Sequence, residues 1–104
     1  MFYVLLNGYA LFAIDAATGE VTGGPYLFDN PYSIQTSELL CHDDELLYVS
    51  CVVDYNEPKT EAFLVHLDAH TLEEQSQDAI ALTDAELFGA FSWTHLYTLA
   101  RAML

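Results

Sequence analysis

The chain has 104 residues, with 16 Asp and Glu against 2 Lys and Arg, for a formal net charge of −14. One domain is expected at this length, and an apolar content of 53% excludes a disordered chain. Direct nucleic-acid binding is excluded as well, because neutralising phosphates takes clusters of Lys and Arg, and Lys59 and Arg101 stand alone.

Residues 2–6 are strand-forming, and Asn7-Gly8 suits a two-residue type I′ hairpin because both positions tolerate positive φ. Tyr9 to Ile14 is the return strand. Asp15 to Glu20 is a turn in which the Asp15 carboxylate accepts backbone amides and Gly19 supplies positive φ. Glu20 to Thr22 starts a third strand. Gly23-Gly24-Pro25 through Pro31 reads as punctuation around Tyr26-Leu27-Phe28, and residues 29–38 as a loop. Cys41-His42-Asp43-Asp44-Glu45 is a polar turn. Leu46 to Asp54 is the longest β-type run, Asn56 to Lys59 a hairpin loop, and Thr60 to Leu67 the partner strand. A turn at Asp68-Ala69-His70-Thr71 leads into a polar segment through Gln77. Thr83-Asp84-Ala85-Glu86 is a capping box, with Thr83 as N-cap, and opens a C-terminal helix over about 84–103. Its apolar residues extend beyond one stripe, so burial on more than one side is expected.

Phe12 to Glu20 aligns with Val65 to Glu73 at an offset of 53, sharing the core Asp-Ala-x-Thr-x-Glu. Upstream, Phe2-Tyr3-Val4 echoes Leu47-Tyr48-Val49. Two repeated units, about 2–22 and 46–77, are expected within a single domain spanning 1–104. The unit resembles a blade segment of β-propellers of the quinoprotein and related types, in which a tyrosine-bearing strand precedes a strand ending in an Asp-Ala-x-Thr-Gly-Glu turn. The resemblance implies β-hairpin geometry and no substrate. Two units cannot close a propeller ring, which takes at least about four blades, so no quinone is inferred. The expected fold is α+β: antiparallel sheet built from two hairpin or meander units, in one sheet or two small ones, with one C-terminal helix packed on it.

No catalytic residue, cofactor or metal is expected. Cys41, His42, Asp43, Asp44 and Cys51 have ligand chemistry but no zinc spacing. His66 and His70 straddle a strand-to-turn junction, and His66 is out of phase with Val65 and Leu67. Cys51 sits in an apolar run and packs as a small hydrophobe. The absence of a Gly-rich phosphate loop and the shortage of Lys and Arg leave anionic substrates without a counter-charge. Residues 1–6 lack a basic leader pattern, and the longest uncharged run, Leu87 to Ala100, is 14 residues, short of the ~18 of a membrane span. A cytoplasmic protein with reduced Cys41 and Cys51 is expected, in the host cytoplasm if phage-encoded.

The acids remain. Twelve of the 16 fall between 43 and 86. A duplex carries one negative charge per about 1.7 Å of axis, so 14 charges match roughly 24 Å of it. In composition the chain resembles small phage-type inhibitors: DNA mimics, anti-CRISPR and anti-restriction proteins, and nuclease-immunity proteins. That resemblance implies a non-enzymatic protein whose acidic surface blocks a basic nuclease or nucleic-acid-binding effector. The candidate partner-binding residues are Asp43, Asp44, Glu45, Asp54, Glu57, Glu61, Asp68, Glu73, Glu74 and Asp78, with a continuous acidic strip over 54–86. Exposed aromatics Tyr26, Phe28, Tyr32 and Tyr55 would add affinity. The alternative is a structural or assembly protein that homodimerises through its apolar C-terminal helix, by way of Phe88, Phe91, Trp93 and Leu96.

Overall fold

The computed structural model describes residues 1–7, 10–28, 39–54, 59–82 and 93–104. Seven strands and one helix lie among them. The strands are β1 (Phe2–Leu6), β2 (Ala10–Ile14), β3 (Val21–Leu27), β4 (Leu40–His42), β5 (Glu45–Asp54), β6 (Lys59–Asp68) and β7 (Glu74–Ala79), and the helix is α1 (Trp93–Ala102). They form two antiparallel meanders, a three-stranded sheet β1-β2-β3 and a four-stranded sheet β4-β5-β6-β7. The α+β expectation holds, in its two-sheet form.

The alternation of β5 and β6 sends side chains to two faces, and both are apolar. Leu46, Tyr48, Val65 and Leu67 point to one face, where they join Leu11 and Ala13 of β2 in a buried cluster. Leu47, Val49, Cys51, Ala62 and Leu64 point to the other, where they join Leu96, Tyr97 and Ala100 of α1. The four-stranded sheet is therefore the middle layer, with the small sheet on one side and the helix on the other.

The two Asp-Ala-x-Thr-x-Glu turns share one hydrogen-bond pattern. In the first turn the Asp15 amide donates to the Glu20 carbonyl at 2.8 Å and the Gly19 amide to the Asp15 carbonyl at 2.8 Å. In the second, the Asp68 amide donates to the Glu73 carbonyl and the Leu72 amide to the Asp68 carbonyl, both at 2.9 Å. The Asp15 carboxylate accepts from the Ala17 amide, and the Asp68 carboxylate from those of His70 and Thr71. Gly19 (φ 75°) and Leu72 (φ 60°) share the left-handed position. Leu72 bears that conformation because its side chain is buried between the sheets.

The structure corrects several expectations. Leu6 pairs with Ala10, so three residues join β1 and β2 rather than two. The two-residue hairpin lies instead at Asp43-Asp44, where His42 pairs with Glu45 and both aspartates have positive φ. The upstream echo is one residue out of step. Tyr3 faces Ala13, whose counterpart His66 faces Leu47, so Tyr3 matches Leu47 and not Tyr48. A one-residue slip exchanges the faces of a strand, so the difference matters.

β3 runs through Gly23-Gly24-Pro25. Proline is tolerated there because β3 is an edge strand with a register shift opposite β2. A Cβ on Gly23 would lie 2.5 Å from the His70 carbonyl oxygen, so glycine lets the small sheet reach the second turn. Thr22 tightens that contact by donating from its hydroxyl to the His70 carbonyl at 2.7 Å. β4 begins the stretch whose sequence reads as a polar turn, and β7 lies in the polar segment that follows the second turn. Every residue of β7 is exposed, so it carries no alternation to read. The capping box and the loop over 29–38 lie outside the described residues.

Candidate functional site

The four-stranded sheet sorts the acids by its register. Glu45 pairs with Asp68 at one end of the β5–β6 ladder, and Asp54 with Lys59 at the other. Nine residues of strand separate those ends, on the order of 30 Å. Asp54 and Glu61 hold diagonal register positions at the far end. The continuous strip over 54–86 is thus divided.

At the near end two turns converge. The Ala69 amide donates to the Asp44 carbonyl at 3.0 Å, which ties the β4–β5 turn to the β6–β7 turn. Asp43, Asp44, Glu45, Asp68, Glu73 and Glu74 therefore gather from positions distant in sequence. A cleft of about 380 Å³ opens beside them, lined by Met1, Tyr3, Cys41, His42, Asp43, Asp44, Glu45, Ala69 and His70. Tyr3 forms its far wall and donates from its hydroxyl to the Ala69 carbonyl at 2.8 Å. Burial, with the nearby Cys41 and Asp68, raises the Tyr3 pKa above its usual 10.0.

Not all of these acids are available to a partner, and Glu74 Oε1 already accepts from the Tyr26 hydroxyl at 3.3 Å and from Gln77 Nε2 at 3.2 Å. Asp68 holds its own turn, and the amides of Thr71 and His70 lower its pKa below the usual 3.8. Glu45 and Asp78 are engaged by His66. The imidazole Nδ1 bonds Glu45 Oε2, and Nε2 bonds Asp78 Oδ2 at 2.8 Å. Burial pushes the His66 pKa down, but both hydrogen bonds and both carboxylate charges push it up, and it stands above 6.5. His66 was legible only as out of phase with Val65 and Leu67. Its two partners come from β5 and β7, and nothing local in the sequence pairs those strands.

Two further groups of site residues change role. Tyr26 and Phe28 are half-buried and packed edge-on to Tyr48, with centroids 5.8 and 4.8 Å away. The Tyr26 and Tyr48 hydroxyls lie 2.6 Å apart. These aromatics belong to the packing between the sheets, so they are not free contact residues. Leu96 is wholly buried in the chain's own core, and Trp93 is packed half-buried against it. The helix turns Thr94, His95, Thr98 and Arg101 outward, so its apolar stripe is narrower than expected. An assembly seam through Leu96 is therefore corrected, because this helix face already covers a sheet. Tyr32, Tyr55, Glu57, Phe88 and Phe91 lie outside the described residues.

Cys41 is exposed and Cys51 buried, with no disulfide between them. Burial pushes the Cys51 thiol up to about 11, as fits a packing residue and not a nucleophile. Among the described residues no group of three or more side chains could hold a metal ion, and no helix is long and apolar enough to cross a membrane. No family model, curated protein or solved structure matches the chain.

Proposed function

We propose that this protein is a non-enzymatic acidic binder that occupies the nucleic-acid-binding surface of a basic protein. The observation that carries the reading is the Ala69–Asp44 backbone bond, which sets the turn bearing Asp43 and Asp44 against the turn that ends at Glu73 and Glu74. Clustered like charge at one end of a molecule steers a basic partner and raises its on-rate. The adjacent cleft offers a Lys or Arg side chain of that partner an acidic wall. A nuclease or a nucleic-acid-guided effector has the surface chemistry that fits.

The test is binding to a panel of basic nucleases and effector complexes across salt, with nucleic acid as competitor. Affinity should fall steeply as salt rises and should be lost to competing duplex. The variant Asp43→Asn/Asp44→Asn/Glu73→Gln/Glu74→Gln should weaken binding by about tenfold or more. Glu61→Gln, near the opposite end of the ladder, should change it little. Affinity that stays flat with salt, or that is untouched by the four-site variant, overturns the reading.

A further inference from the structure

The small sheet is apolar on both faces and covered on one. Its inner face, with Leu11 and Ala13, packs on the middle sheet. Its outer face carries Phe2, Val4 and Leu6 from β1, paired with Ile14, Phe12 and Ala10 of β2, while Val21 and Leu27 of β3 pair with Ile14 and Ala10. None of these residues is charged, in a chain with 16 acids. Phe2 is 62% exposed, Val21 59%, Leu6 52%, Leu27 51% and Val4 44%. Ala10, between them, is buried, and Phe12 and Ile14 are half-buried.

The repeat indicates what this face is shaped for. Through the shared turn and the strand registers, Phe2, Val4, Phe12 and Ile14 correspond to Leu46, Tyr48, Val65 and Leu67. In the second unit that face is covered by another sheet. In the first it is open. The same surface type thus meets a sheet in one copy of the unit and, among the described residues, no sheet in the other.

We propose that the outer face of β1-β2-β3 is a homodimer interface, in which two copies of this chain stack these sheets face to face about a two-fold axis. Among the described residues, this face holds the five most exposed large apolar side chains that a second copy would present. A two-fold axis sets a patch against itself. A charge-free apolar face suits that arrangement, whereas a basic partner would find nothing there to pair with. The five most exposed side chains leave on the order of 400 Å² of apolar surface open per copy. Homodimer interfaces are about 65% apolar, so two copies would bury roughly 1,200 Å² in total, the lower bound for a stable specific interface. An interface of that size is compatible with a specific dimer, and its affinity rests on packing rather than area. The described acids lie mainly on the middle sheets and their turns, so added salt should strengthen the dimer by screening their repulsion.

The experiment is sedimentation velocity on the full chain between about 1 and 200 µM, at low salt and at about 0.5 M NaCl. The expected result is a monomer–dimer equilibrium that tightens with salt. Val4→Lys and Val21→Lys, on strands at the two edges of the sheet, should each raise the dissociation constant by about tenfold or more. Leu104→Ser, at the exposed end of the chain, should leave it unchanged. Should either lysine variant lose its β-sheet circular dichroism, Val4→Thr and Val21→Thr give the same readout with a smaller shift. A monomer throughout overturns the proposal and leaves the face to a different occupant. So does a dimer that survives both face variants, or one broken by Leu104→Ser. Binding to a basic protein weakens with salt where dimerisation strengthens, so the failure of one reading is distinct from the failure of the other.

Discussion

His66 shows how one residue acquires a role from its surroundings. Alone, it is a polar break in an apolar strand. Between Glu45 and Asp78, in its protonated form, it holds two carboxylates that would otherwise repel. Its folded-state pKa is raised, so the stability it contributes is full below its unfolded value, near 6.5, and is lost as pH rises through the folded value. Urea unfolding should therefore give a lower midpoint at pH 8.5 than at pH 6, and His66→Asn should remove most of that difference. Equal pH dependence in both proteins would refute this assignment. Loss of the charged hydrogen bonds should cost about 1.5–3 kcal/mol at the lower pH. Gly23 is constrained differently. Its missing Cβ leaves room for the backbone of His70 and Thr71, the nearest atom being 2.5 Å from the ideal Cβ position. Backbone cannot swing aside as a side-chain tip can. Gly23→Ala should therefore destabilise by about 1–3 kcal/mol in denaturant titration.

Among the elements, α1 and β5 illustrate how an edge is completed. β4 has three residues and its pairing stops at Leu40 with Leu47. Beyond that point the Val49 amide donates to the Tyr97 hydroxyl at 3.1 Å, inside the core. The helix thus supplies an apolar face and also an acceptor for a strand amide that has outrun its neighbour. Tyr97→Phe keeps the ring and removes the acceptor. It should cost about 1–3 kcal/mol, the penalty of a buried unsatisfied donor, without changing the circular dichroism of the fold. A loss below a few tenths would mean that another group meets the Val49 amide. The two Asp-Ala-x-Thr-x-Glu turns were readable from sequence because their hydrogen bonds are local. The register upstream of them was not, since it is set by pairing across the β1–β2 and β5–β6 hairpins rather than by residues within one turn.

For the whole molecule, charge and core are separated. The apolar clusters run through three layers, while the described acids occupy turns, strand ends and the exposed strand β7. Sixteen acids facing two bases destabilise the compact state by self-repulsion. Salt should therefore raise the melting temperature, with most of the gain complete by about 0.5 M, where the Debye length has fallen to a few ångströms. A melting temperature that does not respond to salt would mean that the acids are too dispersed to repel strongly. It would also weaken the case for steering a basic partner.

The sequence by itself determined the net charge, the strand-forming runs, the paired acidic turns and the α+β class. These depend on composition and on residues within a few positions of one another. Only the tertiary structure decided which acids meet, which are held by His66 or their own turn, and that the helix buries Leu96 against a sheet. Each of those follows from strand register and layer order, which bring together groups from separate segments. The open outer face of the small sheet belongs to the same class of fact. Phe2, Val4 and Leu6 read as ordinary strand residues until the layers leave them exposed.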